Sequence, residues 1–292
     1  MEEKKIIYAL GFFDGVHLGH QALLAACKEL SDSCGAVTFT THPDTLVLGK
    51  TPSLINTAAD RLKLLHHFGM DAVVELPFDK ALQNMPWQDF LALLQEKYHA
   101  AGFVCGHDFR FGHKGQGTAA LLAEYCKERN LPCKVVPAQK IEDTLISSTH
   151  IRSLLGQGDL ETACRFLGHP HILTGTVISG KQLGRTIGIP TANLLPPPET
   201  VALRHGVYAC MAYVENTAYP AVVNVGNRPT VDGEGVTVEA WLLDFDGDLY
   251  GKELTLAFYK FLRPEQKFAS LGELQAEIQK NGAQVRNFFA KN

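Results

Sequence analysis

The chain has 292 residues, 46% of them hydrophobic, and a formal net charge of −4, a length that suits two domains because single cores stop growing at about 250–300 residues. The mildly acidic balance and the lack of a long basic run argue against a nucleic-acid partner, which needs a basic face, and leave small molecules as substrates. Seven cysteines without a CxxC pair suggest neither a disulfide framework nor a zinc site, and the absence of an apolar leader or of a run of about 18 apolar residues predicts a cytoplasmic protein with no membrane partner.

From residue 1 to about 165, short apolar runs alternate with helical patterns. The runs IIYAL, GAVTFT, DAVVEL, AGFVCG and PCKVVP read as strands, each bounded by Gly, Pro or Asp. Helices are predicted near 21–30, 57–68, 86–98 and 118–130, which implies a parallel sheet covered on both faces. Two short helices follow, near 149–156 and 159–167, the second with Asp159 as its N-cap. From about 171 the pattern changes to ILTGTVISG, GVYACMAYV, AYPAVVNVG, VTVEAWLLDF and ELTLAFYKF, β-branched and aromatic runs of a small antiparallel barrel, closed by one helix near 270–289. The domain boundary is expected at 165–173, giving domains of 1–168 and 171–292, with LLPPPET at 194–200 a rigid loop.

The segment GFFDGVHLGHQ, residues 11–21, places His17 and His20 around a glycine, directly after a strand and where a helix begins. Imidazoles and free backbone N–H groups at a helix N-terminus suit a phosphate. Further along, His42 and Pro43 follow the second strand and Asp108 and Arg110 follow the fourth. Ser147, Ser148 and Thr149 open a helix in which Arg152 comes one turn later; on their own these hydroxyls read as a capping segment. Ligands of such sheets bind at the carboxyl ends of the strands.

The histidine segment resembles the HxGH signature of nucleotidyltransferases. With the three others it is similar, in order and spacing, to the FMN adenylyltransferase module of bacterial bifunctional riboflavin kinase/FMN adenylyltransferases. The resemblance implies a Rossmann-like N-terminal domain in which His17, His20 and Arg152 stabilise the transferring phosphates. It places Gly11, Phe12, Asp14, Ser147, Ser148 and Thr149 at ATP and Asp108 near the nucleotide, on the flavin side. That family usually carries Asn or Thr at the position of Phe12, Pro at Thr41 and an acidic residue near Thr118.

The second constellation is VISGKQLGRTIGIPTANL, residues 177–194. Gly180, Gly184 and Gly188 allow close backbone approach to phosphate, although the spacing matches neither a Walker A motif nor GxGxxG. Thr191 and Asn193 lie two apart on an extended segment and offer hard oxygens to Mg²⁺. Glu239 alternates with Val238 and Ala240, which leaves it either facing solvent or held as a catalytic carboxylate. The order PTAN, NVGNRPT, VEAWLLDFDGDLYG and FLRPEQKF looks like the riboflavin kinase module. That likeness implies Thr191 and Asn193 at Mg-ATP, Lys181 and Arg185 near its phosphates, Glu239 as general base and Arg263 near the flavin; the family often has Asp at Asn281. Together the two likenesses imply an ATP- and Mg²⁺-dependent enzyme that makes FMN from riboflavin and FAD from FMN. The alternatives are a kinase whose adenylyltransferase half is weakened or lost, and a flavin-binding regulatory protein without turnover.

Overall fold

The protein is described by a computed structural model covering residues 5–180, 184, 187–215, 217–230 and 233–291. The chain divides into two compact units, one ending at Ser148 and the other starting at Thr149.

In chain order the first unit runs β1 (Ile6–Leu10), α1 (Leu18–Leu30), β2 (Cys34–Phe39), α2 (Pro43–Val47), α3 (Ala58–His67), β3 (Ala72–Leu76), α4 (Lys80–Gln83) and α5 (Trp87–Tyr98). It continues with β4 (Ala100–Gly106), the hairpin strands β5 (Arg110–Phe111) and β6 (Gly117–Thr118), α6 (Ala119–Glu128), β7 (Cys133–Val136), and a second hairpin of β8 (Lys140–Ile141) and β9 (Thr144–Leu145). The main sheet has the order β3-β2-β1-β4-β7, with every pair parallel. Tyr8 and Leu10 of β1 join a core with Phe90, Leu91 and Leu94 of α5 and Leu122 and Cys126 of α6. The alternate residues Ile7 and Ala9 are equally buried but lie outside that cluster, so both faces are covered. This explains why the strands read as continuous apolar runs. From β1 the chain adds β2 and β3 on one side and β4 and β7 on the other, so β1 and β4 flank the switch point at which such sheets bind ligands.

One departure from the sequence-based elements is at α1, which begins at Leu18 rather than near 21. Its N-cap is His17, whose Nδ1 accepts from the His20 N–H at 3.2 Å, an imidazole serving where Ser or Asp usually caps. The short helices α2 and α4 are also absent from the sequence reading. They are single turns capped by His42 and Asp79, too brief for a periodicity to register.

The second unit contains most of α7 (Ser148–Gln157), then α8 (Leu160–Leu167), β10 (His171–Thr176), β11 (Ala192–Leu194), β12 (Gly206–Val214), β13 (Thr217–Thr230), β14 (Gly233–Leu242), β15 (Glu253–Arg263) and α9 (Leu271–Phe289). Asp159 caps α8 by accepting from the Thr162 N–H. The six strands follow the order β10-β15-β12-β13-β14-β11, all antiparallel. The curl closes where Ile178, just beyond β10, donates to the Asn193 carbonyl of β11 at 2.8 Å. Helix α9 packs on β12 and β13 through a core of Val207, Ala209, Val222, Leu243 and Val285, and Ser270 caps it by accepting from the Glu273 N–H. All seven cysteines are free. Among the described residues no helix is long and apolar enough to cross a membrane.

Candidate active sites

The N-terminal unit opens a cleft of about 600 Å³ at the carboxyl ends of β1, β4 and β7, lined among others by Gly11, Phe12, His17, His20, His42, Asp108, Ser147 and Ser148. The turn feeding it is strained: Phe13 has φ 61° and Val16 φ 39°, conformations costly for non-glycine residues and concentrated at functional sites. The turn is held from below. Asp14, 2% exposed, accepts through Oδ1 from the Ile55 N–H at 2.8 Å, and its carbonyl accepts from Ser148 Oγ at 3.0 Å. Asp14 thus contributes to the cleft through the backbone it fixes.

His17 and His20 stack with ring centroids 3.6 Å apart and planes 12° from parallel. The glycine between them suits this packing, because a Cβ at Gly19 would press on the His17 ring at 3.1 Å. Burial, then the neighbouring His17 and Arg61, pushes the pKa of His20 well below the usual imidazole range. His20 is therefore uncharged at neutral pH, and both rings lie at the positive end of α1, where anionic oxygens are favoured. His20 Nδ1 is buried without a hydrogen-bond partner. Asp108 lines the cleft as an exposed side chain, beside His107. Thr149 and Arg152 belong to α7 in the second unit.

In the C-terminal unit a cavity of about 250 Å³ lies between the sheet and α9. Val207, Val222, Trp241, Phe268, Leu274 and Ile278 give it apolar walls, and Thr191, Asn224, Glu239, Arg263 and Asn281 give it polar groups. The register accounts for Glu239, which pairs with Asn193 of β11 on one side and Asn224 of β13 on the other. Glu239 is half-buried and lines this cavity. A second cavity, also about 250 Å³, is lined by Thr191, Ala240, Leu242, Asp246, Asp248 and Tyr250. Thr191 borders both. Asn193 is 6% exposed, and residue 180 is glycine because a Cβ there would stand 2.5 Å from Asn193 Nδ2. Arg263 donates to Asn281 Oδ1 from Nε at 3.2 Å and from Nη2 at 3.0 Å, with Glu277 Oε1 3.5 Å from Nε. Burial lowers the pKa of this guanidinium and Glu277 opposes the shift.

A family model described as FAD synthetase matches residues 1–150, and one described as riboflavin kinase matches 167–289. The bifunctional riboflavin kinase/FMN adenylyltransferase of Listeria monocytogenes is 34% identical over 292 residues, covering 98% of this chain and 93% of that protein. The chain belongs to this family. The Escherichia coli K12 member is 35% identical over 290 residues, covering 97% of this chain and 92% of its own. A solved structure described as a macrolide-efflux protein from Streptococcus pneumoniae is 29% identical with a TM-score of 0.86, covering 98% of this chain and 95% of that one.

In this family member the structure gathers Gly11, Phe12, His17, His20, Asp108, Ser147 and Ser148 around one cleft, and Gly184, Thr191, Glu239 and Arg263 around one cavity. Gly188 lies on the described end of the Gly-rich loop, whereas Lys181 and Arg185 lie outside the described residues. Sequence reasoning missed the contribution of α9. Leu274, Ile278 and Asn281 recur at i, i+4 and i+7, the spacing of one helix face, and Gln275 Nε2 donates to the Ile187 carbonyl at 2.9 Å, tying the helix to the Gly-rich loop. Their periodicity was visible, but nothing said that this face covers a cavity. Asp246 and Asp248 were likewise only part of a motif.

Proposed function

We propose that this family member carries out both reactions for which its relatives are named: phosphorylation of riboflavin to FMN in the C-terminal unit and adenylylation of FMN to FAD, with release of pyrophosphate, at the N-terminal cleft. The observation that carries the reading is the position of Thr191 and Glu239 in the barrel. Thr191 borders both an apolar, aromatic-walled cavity and a polar one, the arrangement needed for a flat apolar acceptor and a charged donor to meet end to end. Glu239, inside the first cavity, takes the proton of the ribityl 5′-hydroxyl as that oxygen attacks the γ-phosphorus of ATP and ADP leaves, worth about 10²–10⁴ in rate. Arg263, held by Asn281, orients the acceptor.

At the cleft, a phosphate oxygen of FMN attacks the α-phosphorus of ATP and pyrophosphate leaves. No protein nucleophile is required; the stacked His17–His20 pair and the α1 N-terminus donate to charge that grows on the phosphate oxygens. Gly11, Phe12, Ser147, Ser148, Thr149 and Arg152 are assigned to ATP and Asp108 to the flavin side, while Asp14 acts through the turn it holds.

Among the described residues no group of three or more His, Cys, Asp or Glu is placed to hold a metal. The hydroxyl of Thr191, the amide of Asn193 and the carboxylate of Glu239 instead fit a hard cation that keeps most of its waters and leans on substrate phosphates, as Mg²⁺ does. Thr191 and Asn193 would hold it, and it would neutralise charge on the transferring phosphate. A small-molecule enzyme of this kind belongs in the cytoplasm. Incubation with riboflavin, ATP and Mg²⁺, with the flavins separated over time, should show FMN rising first and FAD following. Riboflavin binding without ATP consumption would overturn the assignment.

A further inference from the structure

Beneath the strained turn of the N-terminal unit lies a guanidinium that is not part of the cleft wall. Arg61 of α3 is 0% exposed, and burying such a charge is costly unless it is paired. Its Nη2 donates to the Phe39 carbonyl at 2.7 Å and stands 3.8 Å from Glu75 Oε1, and its Cζ lies 4.2 Å from the centroid of the Phe12 ring. Nε and Nη1 are buried without a hydrogen-bond partner. The Phe12 ring in turn meets the His42 ring at 4.5 Å, edge to face, and the Phe12 carbonyl accepts from Thr38 Oγ1 at 2.8 Å. Phe12 and His42 both line the cleft, so a continuous stack runs from a buried cation to the cleft surface.

The contacts also define what the cation joins. Phe39 is the last residue of β2 and Phe12 comes two residues after the end of β1, so one planar group grips the carboxyl ends of both strands. An apolar side chain of similar volume would fill this space without the desolvation cost. What it could not supply is a donor to one strand end together with a cation over the ring on the other.

We propose that Arg61 is a positioning residue for adenylyl transfer, fixing the Phe12–His42 wall of the cleft through the Phe12 ring and the Phe39 carbonyl. The inference rests on the reading of this cleft as the adenylyltransferase site. Arg61 touches no substrate; its effect passes through Phe12.

The test is a double-mutant cycle of Arg61→Gln and Phe12→Leu in the full chain, measuring FAD formation from supplied FMN, with FMN formation from riboflavin as the control in the same protein. Arg61→Gln is expected to lower kcat for FAD formation by roughly 10- to 100-fold while shifting the KM for ATP by less than about threefold, and Arg61→Lys, which keeps the cation, should stay within about fivefold of the parent. In the Phe12→Leu background the Arg61→Gln step should shrink to about threefold or less. An equal loss in both backgrounds, or no loss, overturns the proposal. If Arg61→Gln fails to melt cooperatively, Phe12→Leu alone decides: a kcat loss of the same size supports it and parental turnover overturns it. A parent chain that forms FMN but no FAD refutes the assignment of the cleft itself, and the inference falls with it.

Discussion

Gly282, in the middle of α9, tests where the acceptor binds. A Cβ at this position would stand 2.8 Å from Cζ3 and 3.0 Å from Cη2 of Trp241, and Trp241 walls the apolar cavity. Two effects of Gly282→Ala oppose each other in the free protein. Replacing glycine by alanine inside a helix favours folding by about 1 kcal/mol, while overpacking costs about 1–3 kcal/mol. The clash is with the far end of the indole, which has a cavity of about 250 Å³ beside it, so the ring can yield and the cost falls at the low end of that range. Stability should therefore change by less than about 1 kcal/mol. Bound riboflavin removes that escape, and a strain of about 1–2 kcal/mol then reappears as roughly 5- to 30-fold weaker binding. Thermal melts, riboflavin KM in FMN formation and FAD formation from supplied FMN would be compared, the last expected to be unaffected. A stabilised variant with parental riboflavin KM would refute the placement of the acceptor against Trp241.

Other outcomes follow from the same geometry. His17→Ala with His20→Ala should abolish FAD formation and leave FMN formation intact, since losing one preorganised donor costs roughly 3–4 kcal/mol; persistent FAD synthesis in folded protein would remove the pair from the mechanism. Glu239→Gln should lower FMN formation by about 10²–10⁴ with riboflavin affinity nearly unchanged, and near-parental turnover would return Glu239 to a structural role. His171, 3% exposed and without a partner at Nδ1, has its pKa lowered to about 3, chiefly by burial. Below pH 6.5 the unfolded chain binds a proton that the folded protein refuses, so stability is complete above that value and falls with pH, by about 2 kcal/mol between pH 6.5 and 5; His171→Leu should remove that part of the slope in urea melts. A fragment of residues 149–292 should make FMN alone and melt at a higher temperature than one of 171–292, because α8 buries Leu160, Ala163, Phe166 and Leu167 against β10 and β15; equal melting would show that α8 contributes nothing.

The architecture was legible wherever a local signal carried it. Continuous apolar runs between Gly and Pro marked the five parallel strands, β-branched and aromatic runs marked the barrel, and the position of HLGH after a strand located a helix N-terminus. Residues whose meaning depends on distant partners were not legible. Arg61 lies in an ordinary amphipathic pattern, ADRLKLLHH, and only the fold brings it under Phe12, 49 positions earlier in the chain. Glu239 shows the same limit from the other side: alternation gave its face, but only the pairing with Asn193 and Asn224 and the packing of α9 decide whether that face meets water.

The two proposed phosphate sites meet a common demand with different charge arrangements, and the difference follows from what each reaction must neutralise. At the barrel, a hydroxyl attacks and must lose its proton, so a carboxylate is needed beside hard oxygen donors, and the repulsion between that carboxylate and ATP has to be offset by a cation. At the cleft, the attacking phosphate of FMN is already ionised at neutral pH and needs no base. A carboxylate facing the phosphates there would only repel them, which is consistent with Asp14 being turned down onto the backbone of Ile55 while the His17 and His20 rings line the opening. Arg61 completes that arrangement. Glu75 and Asp14 both favour its charged form against the effect of burial, so the negative charge that braces the turn has a cation beneath it.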